Sequence, residues 1–322
     1  MGNSLSILEQ SFPPAPRWSI NEIPDLTGRV MMVTGGNSGI GYDTCKALLS
    51  KNAKVYMAAR CPKKANAAIT RLKEETGNKS PCYLQLDLGD LQSVRLAATQ
   101  FLQQESRLHC LFNNGGVYAP PLSEVTVEGY DLQFGTNVLG HYLFTKLLIP
   151  IMIDTAKNSP CAKGFARIIN TSSVLHFFAP SGGVDYVSLE PHSDQADKRR
   201  KAIGPEGLYA QSKWGLIALS NELARRYGDE GIVSVSLHPG NVRTDIQRHV
   251  TTGAVIATLS KYVLFDSACG ALTQLYAATA IPGGDLNGKY LAPWARIGQP
   301  RADTLDETAC QILWQWLEAQ VD

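Results

Sequence analysis

An apolar run that breaks into a cluster of glycines and resumes at once as a helix leaves a chain few ways to fold. Here residues 29–34 read RVMMVT, Gly35, Gly36, Gly39 and Gly41 follow, and GIGYDTCKALLSKN continues as helix material. Strand, glycine turn and helix in that order open a βαβ unit. The rest of the chain repeats the alternation. AKVYMAAR (53–60), CYLQLDL (82–88), LHCLFNNGG (108–116), ARIINTSS (166–173), GIVSVSLHPG (231–240) and GKYLAP (288–293) read as strands. Helical stretches stand between most of them: PKKANAAITRLKEETG, then DLQSVRLAATQFLQQE with Asp90 as N-cap, then a long helix around 137–156, then one running on from Tyr209. Strands alternating with helices of this length call for a parallel sheet covered on both faces. Apolar rather than alternating strands are buried on both sides.

Three segments stand apart. Residues 1–26 form an N-terminal extension whose FPPAPRW (12–18) suits an extended strap lying on the main domain, 27–322. Residues 179–207 are polar and turn-rich and read as a surface insertion; His176, Phe177, Phe178 and Tyr186 near its start are candidates to line a cavity. Residues 245–265, DIQRHVTTGAVIATLSKYVLF, are apolar enough for a lid helix over a hydrophobic pocket or for a plain core helix.

Composition excludes several functions. A formal net charge of +1 over 322 residues offers no field for nucleic acid. Seven cysteines without CxxC pairing favour a reducing compartment, hence a cytoplasmic location without disulfides. Six histidines without HxxxH or HxH spacing argue against a metal site. VLGHYLFTKLLIPIMI (138–153) holds His141, Thr145 and Lys146 and reads as a buried helix, so no transmembrane segment is expected. The opening Met-Gly-Asn-Ser-Leu-Ser fits the acylation pattern at Gly2, which would add only peripheral, reversible membrane association.

The glycine turn is a ready anion site. Gly35, Gly39 and Gly41 let the backbone approach a pyrophosphate, and the helix start around Asn37, Ser38 and Ile40 offers free N–H groups and a positive dipole end. At the end of the second strand, where NAD-binding folds place a carboxylate for the ribose 2′-hydroxyl, this chain has Ala59 and Arg60, with Lys63 and Lys64 behind. A 2′-phosphate is drawn to Arg60, so NADP(H) is expected over NAD(H).

Tyr209-Ala-Gln-Ser-Lys213 puts a phenol and an ammonium on one helix face, one turn apart, in the first turn of its helix. Alone, such a pair is commonly a surface Tyr beside a solvated Lys. A Lys cation about 4 Å away would favour the phenolate by a few kcal/mol at an effective dielectric of about 20, bringing the phenol towards neutral pH as an acid or base.

Taken together, TGGNSGIG (34–41), Asp87 in LDL, NNGG (113–116), Asn137 in TNVLGHY, Ser173 in NTSS, YAQSK (209–213) and HPGNVRT (238–244) resemble the short-chain dehydrogenase/reductase family over about residues 27–300. AAR, SSVLH and the long gap between Ser173 and Tyr209 are most similar to its retinol-dehydrogenase-like and fungal reductase branch. The resemblance implies a single Rossmann-type α/β domain, with a seven-stranded parallel sheet and helices on both faces. It implies Tyr209 as general acid/base, Lys213 lowering its pKa and holding the nicotinamide ribose, and Ser173 steadying the reacting oxygen. Asn137 would hold a water that joins Lys213 to solvent. Asp87 and Leu88 would lie by the adenine, Asn114, Gly115 and Gly116 along the adenosine side, and Pro239, Gly240, Val242 and Thr244 by the nicotinamide carboxamide. Gly115 departs from the family's usual Ala. His176 is a candidate pocket residue, and His238 is expected only to pack before its Pro turn. The family often pairs through its long helices, so a homodimer is an expectation that the N-terminal strap could block.

The expected function is an NADP(H)-dependent oxidoreductase interconverting a ketone or aldehyde with an alcohol. Its substrate would be a mostly apolar small molecule of terpenoid, polyketide, steroid-like or retinoid type. The alternative is a catalytically silent dinucleotide-binding sensor or scaffold, which has no physical need for Ser, Tyr and Lys together.

Overall fold

In the computed structural model, which describes residues 2–242, 264–280 and 284–321, the alternation becomes one sheet. Its strands are β1 (Val30–Thr34), β2 (Lys54–Ala59), β3 (Cys82–Gln85), β4 (Cys110–Asn113), β5 (Ala166–Thr171), β6 (Ile232–Leu237), β7 (Tyr290–Ala292) and β8 (Arg296–Ile297), in the order β3-β2-β1-β4-β5-β6-β7-β8. Neighbours from β3 through β7 pair in parallel. The eighth strand exceeds the seven expected: two residues folding back antiparallel, with Leu291 opposite Ile297, are too short to leave a pattern.

The helices are α1 (Gly2–Ser11), α2 (Gly39–Ser50), α3 (Pro62–Glu75), α4 (Leu91–Gln104), α5 (Gly140–Asn158), α6 (Asp194–Tyr227), α7 (Ser267–Thr279) and α8 (Glu307–Val321). Two cores flank the sheet. Met31 and Val33 pack with residues of α2, α3 and α7, and Met32 with residues of α4, α5, α6 and α8. All three β1 side chains are fully buried, each burial stabilising by about 1.5–3 kcal/mol. Asp90 caps α4 as expected, accepting from the Gln92 and Ser93 amides. The stretch 132–158 is long and apolar enough to cross a membrane by composition, yet Leu143, Phe144, Leu148 and Met152 lie in the core.

Two segments differ from the sequence reading. Residues 194–203, read as irregular, form the first part of α6; Gly204 (φ 75°, ψ 164°) kinks it and Pro205 starts the second part. Tyr209 therefore stands in the second turn of its helical segment, not the first. The extension begins with α1 before its extended strap. Tyr290 donates its hydroxyl proton to Gln10 Oε1 at 2.7 Å, and the Arg296 guanidinium reaches the carbonyls of Pro14 and Ala15, so the extension lies against the β7–β8 edge.

Strand order reverses direction between β1 and β4, which opens a crevice at the carboxyl ends of the strands.

Candidate active site

That crevice holds a cavity of about 470 Å³. The turn after β1 contributes Gly35, Asn37, Ser38, Gly39, Ile40 and Gly41. Arg60 and Lys64 come from the junction of β2 and α3, and Asn114, Gly115 and Gly116 follow β4. Ser173 follows β5, Tyr209 and Lys213 stand on α6, and Pro239, Gly240 and Val242 follow β6. Thr244 and the 245–263 part of the expected lid lie outside the described residues.

The cradle is built by close backbone approach. Gly35 has φ +66°, and a Cβ on Gly41 would fall 2.4 Å from the Gly35 carbonyl oxygen and 2.7 Å from Asn114 Nδ2. Thr34 Oγ1 ties the turn to the next strand, accepting from the amides of Asn114 and Gly115 at 2.9 Å each and contacting His141 Nε2 at 2.8 Å. Ser38 makes no side-chain cap, so the first-turn amides of α2 remain unpaired within the helix and suit an anion. Arg60 is largely exposed, with its Nε 3.9 Å from Asp87 Oδ2, too long for a tight pair. Uncapped amides and glycines fit the pyrophosphate of a dinucleotide, and Arg60 and Lys64 line the same cavity.

At the other end, Lys213 Nζ donates to the Thr171 carbonyl oxygen at 2.9 Å and lies 5.3 Å from the Tyr209 ring centre. Burial pushes the Lys213 ammonium down to about 7. Burial also pushes the Tyr209 phenol up, a hydrogen bond with Ser173 works against that rise, and Tyr118 adds to it. The expected lowering of the phenol by Lys213 is therefore corrected. Both groups are withdrawn from water, which disfavours the charged form of each, and the ammonium spends its bond on a neutral carbonyl.

Several expected residues stand behind the lining. Asn137, fully buried in a π-helical turn (Gly135–Leu139), accepts from the Val117 amide at 2.9 Å and donates to the Val117 carbonyl and to Ser212 Oγ. Its own carbonyl meets His141 Nδ1 at 2.9 Å. It fastens the loop after β4 to α6 instead of facing the cavity. Asp87 Oδ1 accepts from the Gly89 amide at 3.0 Å, and Leu88 is buried beneath Gly115. His176 is fully buried under Ser173 and does not line the cavity. His238 does line it, with burial pushing its pKa down to about 3, so its ring is neutral.

Three contributors escaped the sequence reading. Thr34 directly precedes the glycine turn and His141 sits one helical turn past Asn137, so spacing is the signal by which both could be found. Tyr118 sets its ring edge-on to Tyr209, with centroids 4.6 Å apart, and no local signal marked it.

A family model described as short chain dehydrogenase matches residues 29–188. A short-chain dehydrogenase/reductase of Armillaria gallica is 49% identical over 320 residues, spanning 99% of both chains. An uncharacterized oxidoreductase of Schizosaccharomyces pombe is 41% identical over 289 residues, 88% of this chain and 82% of its own. Among solved structures, a protein from Mycobacterium paratuberculosis aligns with a TM-score of 0.69 at 27% identity, covering 94% of this chain and 97% of that one. The NADP active-site complex of Pseudomonas aeruginosa RhlG shares the fold, with a TM-score of 0.63 at 22% identity over 84% of this chain and 96% of that one.

Proposed function

Because the chain belongs to the short-chain dehydrogenase/reductase family, we propose that it is an NADP(H)-dependent oxidoreductase interconverting a ketone or aldehyde with an alcohol on a mostly apolar small molecule. The observation that carries this reading is that Ser173, Tyr209 and Lys213 open onto the same cavity as the glycine turn and Arg60. When bound, the coenzyme supplies or accepts the hydride. Tyr209, held neutral by burial, is the acid that gives its proton to the carbonyl oxygen; in the alcohol direction its oxygen takes that proton back. Ser173, within hydrogen-bond reach of Tyr209, can turn its one hydroxyl proton to the reacting oxygen and steady the charge that develops there. Lys213, near pKa 7, gains or loses its proton around neutrality at small cost.

Arg60 and Lys64 support a 2′-phosphate and hence NADP(H), and Gly35, Gly39, Gly41 and the α2 amides suit the pyrophosphate. Tyr118, Pro120, Val174 and Leu175 give the substrate end an apolar wall that limits water, which supports an apolar substrate. The test is consumption of NADPH and of NADH by the purified protein with benzil, cyclohexanone and decanal, followed at the nicotinamide absorbance. Turnover with higher kcat/KM for NADPH is expected. NADPH binding without turnover of any carbonyl would favour the silent sensor instead.

A further inference from the structure

Ser173 and Lys213 reach the cavity from different elements, forty residues apart in sequence, and a residue from the C-terminal segment joins them. His176 has its Nδ1 2.6 Å from the Ser173 carbonyl oxygen, which can only accept, and its Nε2 3.0 Å from the Arg301 backbone N–H, which can only donate. The ring is therefore the neutral tautomer with its proton on Nδ1, in keeping with the burial that pushes its pKa down to about 4. The Arg301 side chain, 12% exposed, donates to the carbonyls of Ala179 and Pro180 and grips the Asp303 carboxylate through Nε at 2.7 Å and Nη2 at 2.6 Å. Asp303 Oδ1 in turn accepts from Trp214 Nε1 at 2.9 Å, and Trp214 directly follows Lys213. The Trp214 ring closes on the same loop: a Cβ on Gly183 (φ +87°) would fall 2.3 Å from it.

We propose that Arg301 is a positioning residue that sets Ser173 and Lys213 relative to each other, through His176 on one side and through Asp303 and Trp214 on the other. It does not line the cavity, so it acts through these partners. A guanidinium suits the task because one planar head meets two carbonyls and a carboxylate in fixed directions; a lysine ammonium is a single point charge. The proposal rests on the catalytic reading of Ser173 and Lys213.

The test compares Arg301→Met, Arg301→Lys, His176→Asn and the Arg301→Met/His176→Asn double variant with the wild type. The carbonyl used is whichever of benzil, cyclohexanone and decanal the wild type reduces fastest with NADPH. Arg301→Met is expected to lower kcat by about 10- to 100-fold, since misplacement of about 1 Å costs on that order, while NADPH affinity changes by less than about 2-fold. Arg301→Lys is expected to recover part of the loss. His176→Asn keeps a donor towards Ser173 but loses the acceptor for the Arg301 amide, so a similar loss is expected, and the double variant should be no worse than the poorer single one. Unchanged kcat in a folded Arg301→Met protein would overturn the proposal. So would NADPH affinity falling in step with kcat, no recovery by Lys, or additive losses. A wild type that reduces none of the carbonyls fails the functional reading, not this one. Amide hydrogen exchange then decides: Arg301→Met should speed exchange at residues 174–178, and unchanged exchange there sinks the clamp.

Discussion

Lys213 Nζ stands 5.3 Å from the centre of the Tyr209 ring while donating a hydrogen bond to the Thr171 carbonyl oxygen. Neither side chain has appreciable access to water, and burial moves the two in opposite directions, the phenol up and the ammonium down to about 7. The pair is thus a neutral acid beside a cation whose charge is easily lost. On the proposed reading such a pair gives a proton to a carbonyl oxygen, and keeping it out of water costs the fold stability.

Lys213→Met should therefore stabilise the fold while abolishing turnover. The folded pKa, about 7, lies below the ordinary lysine value of 10.5, so the unfolded chain holds the extra proton between them and stability rises with pH across that window. The burial penalty is complete below about pH 7 and vanishes above 10.5. Thermal melts should show a gain in Tm for Lys213→Met that is larger at about pH 6 than at about pH 9. An equal gain at both would place the lysine in contact with water.

Arg60 is exposed and only loosely opposed to Asp87, so its charge is free for a phosphate. Arg60→Ala should raise KM for NADPH by about 10-fold or more, the order of one charge-assisted contact, and leave KM for NADH nearly unchanged. Arg60→Asp should go further and invert the preference. Steady-state kinetics with both coenzymes reads the result.

The cradle glycines should divide sharply. A Cβ on Gly41 meets main chain at 2.4 Å, so Gly41→Ala should cost a few kcal/mol in urea melts and weaken NADPH binding at least about 10-fold. A Cβ on Gly115 meets Leu88 Cδ1 at 3.1 Å, the movable end of a side chain, and Thr34 Oγ1 at 3.3 Å, with no closer approach to main chain than 3.4 Å, and Gly115 does not have positive φ. The loss of unfolded-chain freedom offsets that crowding by about 0.4–1 kcal/mol, so Gly115→Ala should stay within about 1 kcal/mol of the wild type and keep its coenzyme.

The strands from β1 to β7 and the cap at Asp90 were legible because they are local: runs of buried apolar residues and one acidic side chain at a helix start. The first part of α6 was not, since it is held by polar burial. Arg200 packs there by donating to the carbonyls of Ser188 and Glu190, which no hydrophobic period records. The glycine turn and the Tyr209–Lys213 spacing were likewise legible, as both sit within single turns of chain. The direction of the Tyr209 shift was not, because it depends on what covers the ring. Tyr118 and Arg301 arrive from loops distant in sequence, and only the folded chain brings them to Tyr209 and His176.

The most direct measurement is NADPH consumption by Tyr209→Phe beside the wild type, with NADPH binding followed by calorimetry on the same samples. The expected result is binding within about 2-fold of the wild type and a rate at least about 100-fold lower, the loss typical of a removed proton donor. Turnover by the Phe variant at close to the wild-type rate would contradict the assignment of the Tyr209 hydroxyl as the proton donor.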